Sequence, residues 1–466
     1  MSKQNETKTL LIAFLLTSAV LVGGVWWVRE SGILMGLIDS PNGPGTSPLG
    51  ASRSAVALSG GEQLLLGGSS DLQGAVELIA NRQYSQAVQQ LEAFLQQNPN
   101  EPEALIYLNN ARIAQGRSYP IAVAVPITGS ENSAKEILRG VAQAQQEINQ
   151  RGGINGVPLK VIIADDHNSP EMAQQVAEAL VKMPEILAVV GHFSSDVSQA
   201  AAAIYQQQGL VMISPSSTSV TLSQAGNYIF RTAPSDAFTA KALAQYQLTE
   251  LNLNQAVIFY NGQSDYSLSL KGQFTTELFT SGGSVLQEFD VSLPDFNPSE
   301  AVAEARQQGA EVLVLLTNTP TLDQALRVIQ LNRQGLPLLG GDSLYNPRLL
   351  QVGAQDAQGM VVAVPWHILA HPDAPFTRTS AQLWRAEVNW RTAMAYDATQ
   401  ALIAALGETP TRSGVQGALG RSGFTTAGAS EVIRFLPSGD RNQAVQLVEV
   451  VPGTRSGFGQ DFNPIP

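Results

Sequence analysis

Short apolar runs alternate with longer helical patterns between residues 119 and 232, and that alternation leaves few folds open. The first run, IAVAV at 121–125, ends in PITG. A helical pattern covers 133–150, followed by the turn GGINGVP at 152–158. A second run at 159–164 is closed by Asp165 and Asp166. A third at 186–190 ends in GHFSS, and a fourth at 210–213 ends in SPSST. Runs this short, separated by helices, predict strands buried on both faces and joined by crossover helices into a parallel sheet. Ligands of such sheets bind beyond the carboxyl ends of the strands. Here those ends carry Thr128, Ser194, Ser195, Ser216, Ser217 and Thr218. Hydroxyls and backbone amides gathered at one edge suit a small polar molecule.

The alternation resumes near residue 254. Strands are predicted at 256–260, 284–289, 311–316, 336–339 and 360–364, with the loops NGQSDY, TNTP and GGD after the first, third and fourth. Helical patterns follow over 380–407 and 414–420. The segments 432–435 and 443–451 read as a hairpin about a PSGD turn. The expected fold class is therefore α/β: two open, doubly wound parallel-sheet lobes with a hinged cleft between them.

Before this unit the chain changes character three times. Residues 10–28 carry no charge and end in a Trp pair, with Lys3 and Lys8 before them and Arg29 after. Length and flanks predict a transmembrane helix with the remainder outside the cytoplasm. A cleaved signal peptide is the competing reading, disfavoured because bulky tryptophans stand where a small-residue cleavage site belongs. Residues 31–70, rich in Gly, Pro and Ser, read as a flexible linker. Residues 71–117 read as a small α-helical segment, with Leu72, Val76 and Ile79 on one helix, Tyr84 to Leu95 on a second and a third restarting at Pro102. Its spacing resembles about one tetratricopeptide repeat, either a partner-binding module or a spacer packed on the main domain.

Net charge is −12 with 27 Lys plus Arg, no basic cluster and no Cys. That argues against nucleic-acid binding and excludes disulfides, thiolate metal sites and a Cys nucleophile. Neither a nucleophile elbow, nor a phosphate-binding loop, nor a zinc motif occurs. No catalytic residue or cofactor is implied.

From 119 to 451 the chain resembles the Leu/Ile/Val-binding receptors, the type I periplasmic solute-binding proteins of ABC transporters. The carrying pieces are GGING at 152–156, Asp165–Asp166, Gly191–His192 with Ser194–Ser195, ISPSST at 213–218, FRTAPSD at 230–236, GGD at 340–342 and the turn at Gly439–Asp440. The order of anchor, linker, helical repeat and receptor is similar to cyanobacterial members. The resemblance implies lobe 1 from 118–237 plus 366–430, lobe 2 from 238–365 plus 431–455 and a tail at 456–466. It implies an amino acid held by Ser195 (hydroxyl and amide to the carboxylate), Ser216 (carbonyl to the ammonium) and Thr218 (hydroxyl and amide), with Ser194 and Ser217 beside them. Tyr266 would close over the ligand from lobe 2. Asp342 stands where the family has a Glu for the ammonium, and Asn318 where branched-chain receptors often have an aromatic. A more polar pocket follows, which keeps amides and urea open as ligands. The expected roles are a periplasmic receptor docking to ABC permease subunits or, alternatively, a membrane-tethered sensor acting through a signalling partner.

Overall fold

In the computed structural model, which describes residues 56–466, two mixed sheets carry the chain from Val56 onward. The first contains β1 (Leu58–Ser59), β2 (Tyr119–Val125), β3 (Leu159–Asp165), β4 (Ala188–Val190), β5 (Val211–Ser214) and β6 (Ile229–Arg231), in the order β1-β3-β2-β4-β5-β6. All pairs are parallel except β1 with β3. Alternate residues of β2 face opposite layers: Ile121, Val123 and Val125 join one apolar cluster, Ala122 and Ala124 another. A strand covered by helices on both faces needs an apolar residue at every position, which is why these runs do not alternate with polar residues. On one face the helix Trp390–Glu408 packs along Glu131–Gln150. Gly140 permits the approach, since a Cβ there would collide with the Thr392 carbonyl.

The second sheet repeats this winding. Its strands are β7 (Gln255–Tyr260), β8 (Ser284–Asp290), β9 (Val312–Leu316), β10 (Leu338–Gly340) and β11 (Val361–Val364), in the order β11-β10-β9-β7-β8. A small pair, β12 (Thr426–Ala427) with β13 (Val432–Ile433), precedes β14 (Gln446–Pro452) and β15 (Gln460–Pro464), which extend the second sheet, β14 antiparallel to β11 and β15 antiparallel to β14. The strand order reverses at β2 in one lobe and at β7 in the other, so each sheet has a switch point where a site can form.

The helical segment consists of Ser70–Ala80, Tyr84–Gln97 and Pro102–Ile113. The third helix is buried over Pro102–Ala111, between its neighbour Tyr84–Gln97 and the lobe 1 helix Glu131–Gln150. Asn110 ties it to the sheet: its side-chain oxygen accepts from Val161 N (3.2 Å), and its amide nitrogen donates to the Val161 (2.7 Å) and Gly60 (2.9 Å) carbonyls. Glu103, also buried, accepts from the amides of Leu65 and Leu66 and from Tyr107 Oη. The segment is packed on lobe 1 through buried polar bonds that replace solvent for every group they cover.

Four expectations need correction. The stretch read as linker enters the fold at its end: Leu58 and Ser59 pair with β3, and Leu66 is buried. The stretch read as a tail forms β15, which Phe462 anchors in the core. The single helix read at 380–407 is two, Pro375–Trp384 and Trp390–Glu408, because Arg385 adopts the left-handed conformation (φ 48°) and Asn389 caps the second by accepting from Arg391 N. The hairpin at 432–451 is one isolated bridge, Phe435 with Arg441, while its two arms join different sheets. The apolar run at 10–28 and the linker up to 55 lie outside the described residues. Among the described residues no helix is long and apolar enough to cross a membrane.

Candidate functional site

A cavity of about 370 Å³ lies between the lobes, at the carboxyl ends of both sheets. Lobe 1 contributes Phe193, Ser194, Ser195 and Asp196 after β4, Ser216 after β5, and Trp390 and Arg391 from the start of their helix. Lobe 2 contributes Asn261, Gln263, Ser264 and Tyr266 after β7, Asn318, Thr319 and Pro320 after β9, and Asp342 and Ser343 after β10.

The lobe 1 loops are knitted by their own hydroxyls. Ser214 Oγ donates to the His192 carbonyl (2.8 Å) and accepts from Ser217 N (3.0 Å). Ser216 Oγ donates to the Phe193 carbonyl (2.8 Å), and the Ser217 and Ser198 hydroxyls share a hydrogen bond (2.6 Å). Ser195 opens the helix Ser195–Gln208. Its Oγ accepts from Ser219 N (3.3 Å), so its proton is free to donate. The amides of Ser195, Asp196 and Val197 precede the helix's first internal bond, Ser198 N to the Ser194 carbonyl. Free N–H groups at the positive end of the helix dipole, beside a hydroxyl on the cavity wall, make a seat for an anion.

Lobe 2 faces this seat with a carboxylate. Asp342 is buried, and burial pushes its pKa up to about 6 while the Arg391 charge pulls it down. Behind it Asp236 is pushed up to about 7, again by burial. Tyr266 stands beside Asp342, and burial raises its hydroxyl well above the ordinary range. Gly341 makes room for that ring, since a Cβ there would collide with Tyr266 Oη. Among the described residues Tyr266 Oη, Ser264 Oγ, Trp390 Nε1, Arg391 Nε and both Asp236 side-chain oxygens have no hydrogen-bond partner. Two bonds bridge the lobes beside the cavity: Asp196 Oδ1 accepts from Asp265 N (2.8 Å), and Ser269 Oγ accepts from Val220 N (3.0 Å).

Of the residues expected from sequence, Ser194, Ser195, Ser216, Tyr266, Asn318 and Asp342 come together on the wall. Ser217 and Thr218 do not. Ser217 points its hydroxyl into the lobe 1 network, and Thr218 is buried with its carbonyl accepting from Asp236 N. The loop turns away from the cleft after Ser216 to meet the helix Asp236–Gln245, and alternate residues cannot all face one cavity. Asn318 lines the wall, but its side-chain oxygen is engaged by Asn261 Nδ2 (2.9 Å) and Thr321 Oγ1 (2.8 Å). Trp390, Arg391, Asp196 and Asn261 were missed. The signal for Arg391 is its setting, a lone cation in the run from Trp390 to Ala395 on a helix buried all round.

A family model described as "Periplasmic binding protein" matches residues 118–456. The chain is 28% identical over 229 residues to a leucine-specific-binding protein of Salmonella typhimurium, covering 49% of this chain and 62% of that one. It is 32% identical over 220 residues to an amino acid binding protein of Pseudomonas aeruginosa, covering 46% and 58%. The matched stretch thus spans about three fifths of each of these relatives. Among solved structures, an ABC transporter substrate-binding protein from Desulfitobacterium hafniense in complex with Leu superposes with a TM-score of 0.63 at 26% identity, covering 75% of this chain and 100% of that one. A leucine binding protein from Thermotoga maritima gives 0.65 at 22%, covering 74% and 97%, a likeness of fold.

Proposed function

The chain belongs to the periplasmic binding protein family, and from that premise we propose that it is an extracytoplasmic receptor that closes on an amino acid for ABC-type uptake. The observation that carries this reading is the opposed pair across the cleft: the donor-rich start of the helix Ser195–Gln208 in lobe 1 and the buried Asp342 in lobe 2. A zwitterion taken from water needs both charges compensated, because an unpaired buried charge costs several kcal/mol. The lobe 1 amides and the Ser195 hydroxyl take the α-carboxylate, and Asp342 takes the α-ammonium. Tyr266 covers the ligand from lobe 2. A neutral amide or urea leaves Asp342 without a cation. The relatives named for leucine and for amino acids support the amino-acid class.

Family membership implies a periplasmic location, and permease subunits are the proposed partners. The run at 10–28 is read as an anchor holding the receptor at the membrane. A thermal-unfolding screen against the amino acids, simple amides and urea tests the class. A true ligand at a hundred times its Kd adds about 2.7 kcal/mol of stability. Stabilisation by at least one amino acid is expected. Stabilisation by urea or amides alone would replace the amino-acid reading.

A further inference from the structure

The charge pattern of the cavity is not that of a site for one carboxylate and one ammonium. Arg391 is buried, only 7% exposed, and lines the cavity. Among the described residues its side chain donates to no protein acceptor, and Nε is fully covered without a partner. Two carboxylates feel its charge, Asp342 and then Glu136, and neither forms an ion pair with it. Glu136 is already engaged at both oxygens, by Arg139 and by Thr392 Oγ1. Asp196, the other carboxylate on the wall, accepts from Asp265 N across the cleft. The guanidinium lies over Trp390 (4.3 Å) and near Phe193 (5.7 Å), both on the cavity wall. Aromatic faces orient a planar cation and leave its edge N–H groups for a planar anion. A buried guanidinium that bonds no anion is costly, and an anionic group on the occupant of this cavity would relieve it.

The rest of the wall agrees. Asn261, Gln263, Asn318 and Thr319 line the lobe 2 side with Tyr266 and Pro320, leaving little apolar cover for a branched aliphatic side chain. The free helix amides at Ser195 already form one anion seat, and Arg391 is a second.

We infer that the ligand is a dicarboxylic amino acid, with its ammonium at Asp342, one carboxylate at the Ser195 helix start and the other on Arg391. This rests on the amino-acid reading above and names the side-chain class within it. An Arg–carboxylate pair can be bidentate and is stronger than a neutral hydrogen bond. A site built for it discriminates against the isosteric amide.

Calorimetric titration of the whole chain with L-glutamate, L-aspartate, L-glutamine, L-asparagine and L-leucine tests the inference without any variant. The acidic ligand is expected to bind about tenfold or more tighter than its amide. In Arg391→Gln the acid-over-amide preference should vanish, and Arg391→Lys should keep part of it, with thermal unfolding confirming that each variant is folded. Leucine, glutamine or asparagine binding as tightly as the acids overturns the second anion seat and leaves the amino-acid reading standing. A folded Arg391→Gln that keeps the preference also overturns it. If none of the five binds, the dicarboxylic inference falls, and the thermal screen against the remaining amino acids decides the amino-acid reading.

Discussion

Lobe 1 and lobe 2 wind their sheets in the same order, yet they face the cleft with opposite chemistry. Lobe 1 presents the free helix amides, the Ser195 hydroxyl and the Arg391 guanidinium, with its carboxylate there, Asp196, already accepting from Asp265 N. Lobe 2 presents the buried Asp342 beside Tyr266, with the acidic Asp236 behind them. The lobe 1 loops are internally bonded serine to carbonyl, so that wall is formed before any ligand arrives. The carboxyls of Asp342 and of Asp236 behind it are held above their usual range by burial, a state that a cationic group would relieve. On the proposed reading, the difference assigns the ligand's anionic end to lobe 1 and its cationic end to Asp342 of lobe 2.

The largest break in that division is Asp342→Asn. With an ammonium stranded opposite a neutral amide, binding should weaken by about 3 kcal/mol or more in calorimetric titration. A loss under about 1 kcal/mol would mean that lobe 2 receives no cation there. Ser195→Ala comes next, at about 1–3 kcal/mol, because a charged partner loses one donor. Thr218→Ala, which alters a side chain off the cavity wall, should leave ligand affinity unchanged. Equal losses in these two variants would put the lobe 1 contact deeper in the loop than the cavity wall.

The pH dependence sharpens the contrast further. Asp342 at about 6 and Asp236 at about 7 both stand above the ordinary 3.8, so the folded, unliganded protein binds protons more tightly than the unfolded chain. Their contribution to stability is present at low pH and is lost as pH rises through these values. The ligand's ammonium favours ionised Asp342, so affinity should rise from pH 5 to pH 7, by at most about tenfold per unit. Proton release on binding, read by calorimetry in buffers of different ionisation enthalpy, should disappear in Asp342→Asn. A modest effect belongs to the bond that joins the lobes. Asp196→Ala removes the acceptor of Asp265 N and should weaken every ligand alike by about 1 kcal/mol, as loss of a helix cap does. A ligand-dependent effect would instead make Asp196 part of the recognition surface.

Much of this was legible in the chain. Apolar runs at 121–125, 159–164, 256–260 and 360–364 fall on β2, β3, β7 and β11 to within two residues at either end, because strands covered on both faces are apolar at nearly every position, Lys160 of β3 being the exception. The loops after β4, β5, β9 and β10 announced Ser195, Ser216, Asn318 and Asp342, because a doubly wound sheet places those loops on one edge. Single-strand additions escaped notice. β1 has two residues and β15 has one large apolar residue, Phe462, so neither shows a period.

By itself, then, the sequence determined the two lobes, their winding and the edge where the site lies, since these follow from local patterns of burial. Only the tertiary structure decided which residues meet. Arg391 lies far along the chain from Phe193 and Ser195, and it reaches their wall because the helix Trp390–Glu408 returns to pack on lobe 1. Whether a buried cation has an anion is a property of its surroundings in space, and nothing in the order of residues records it.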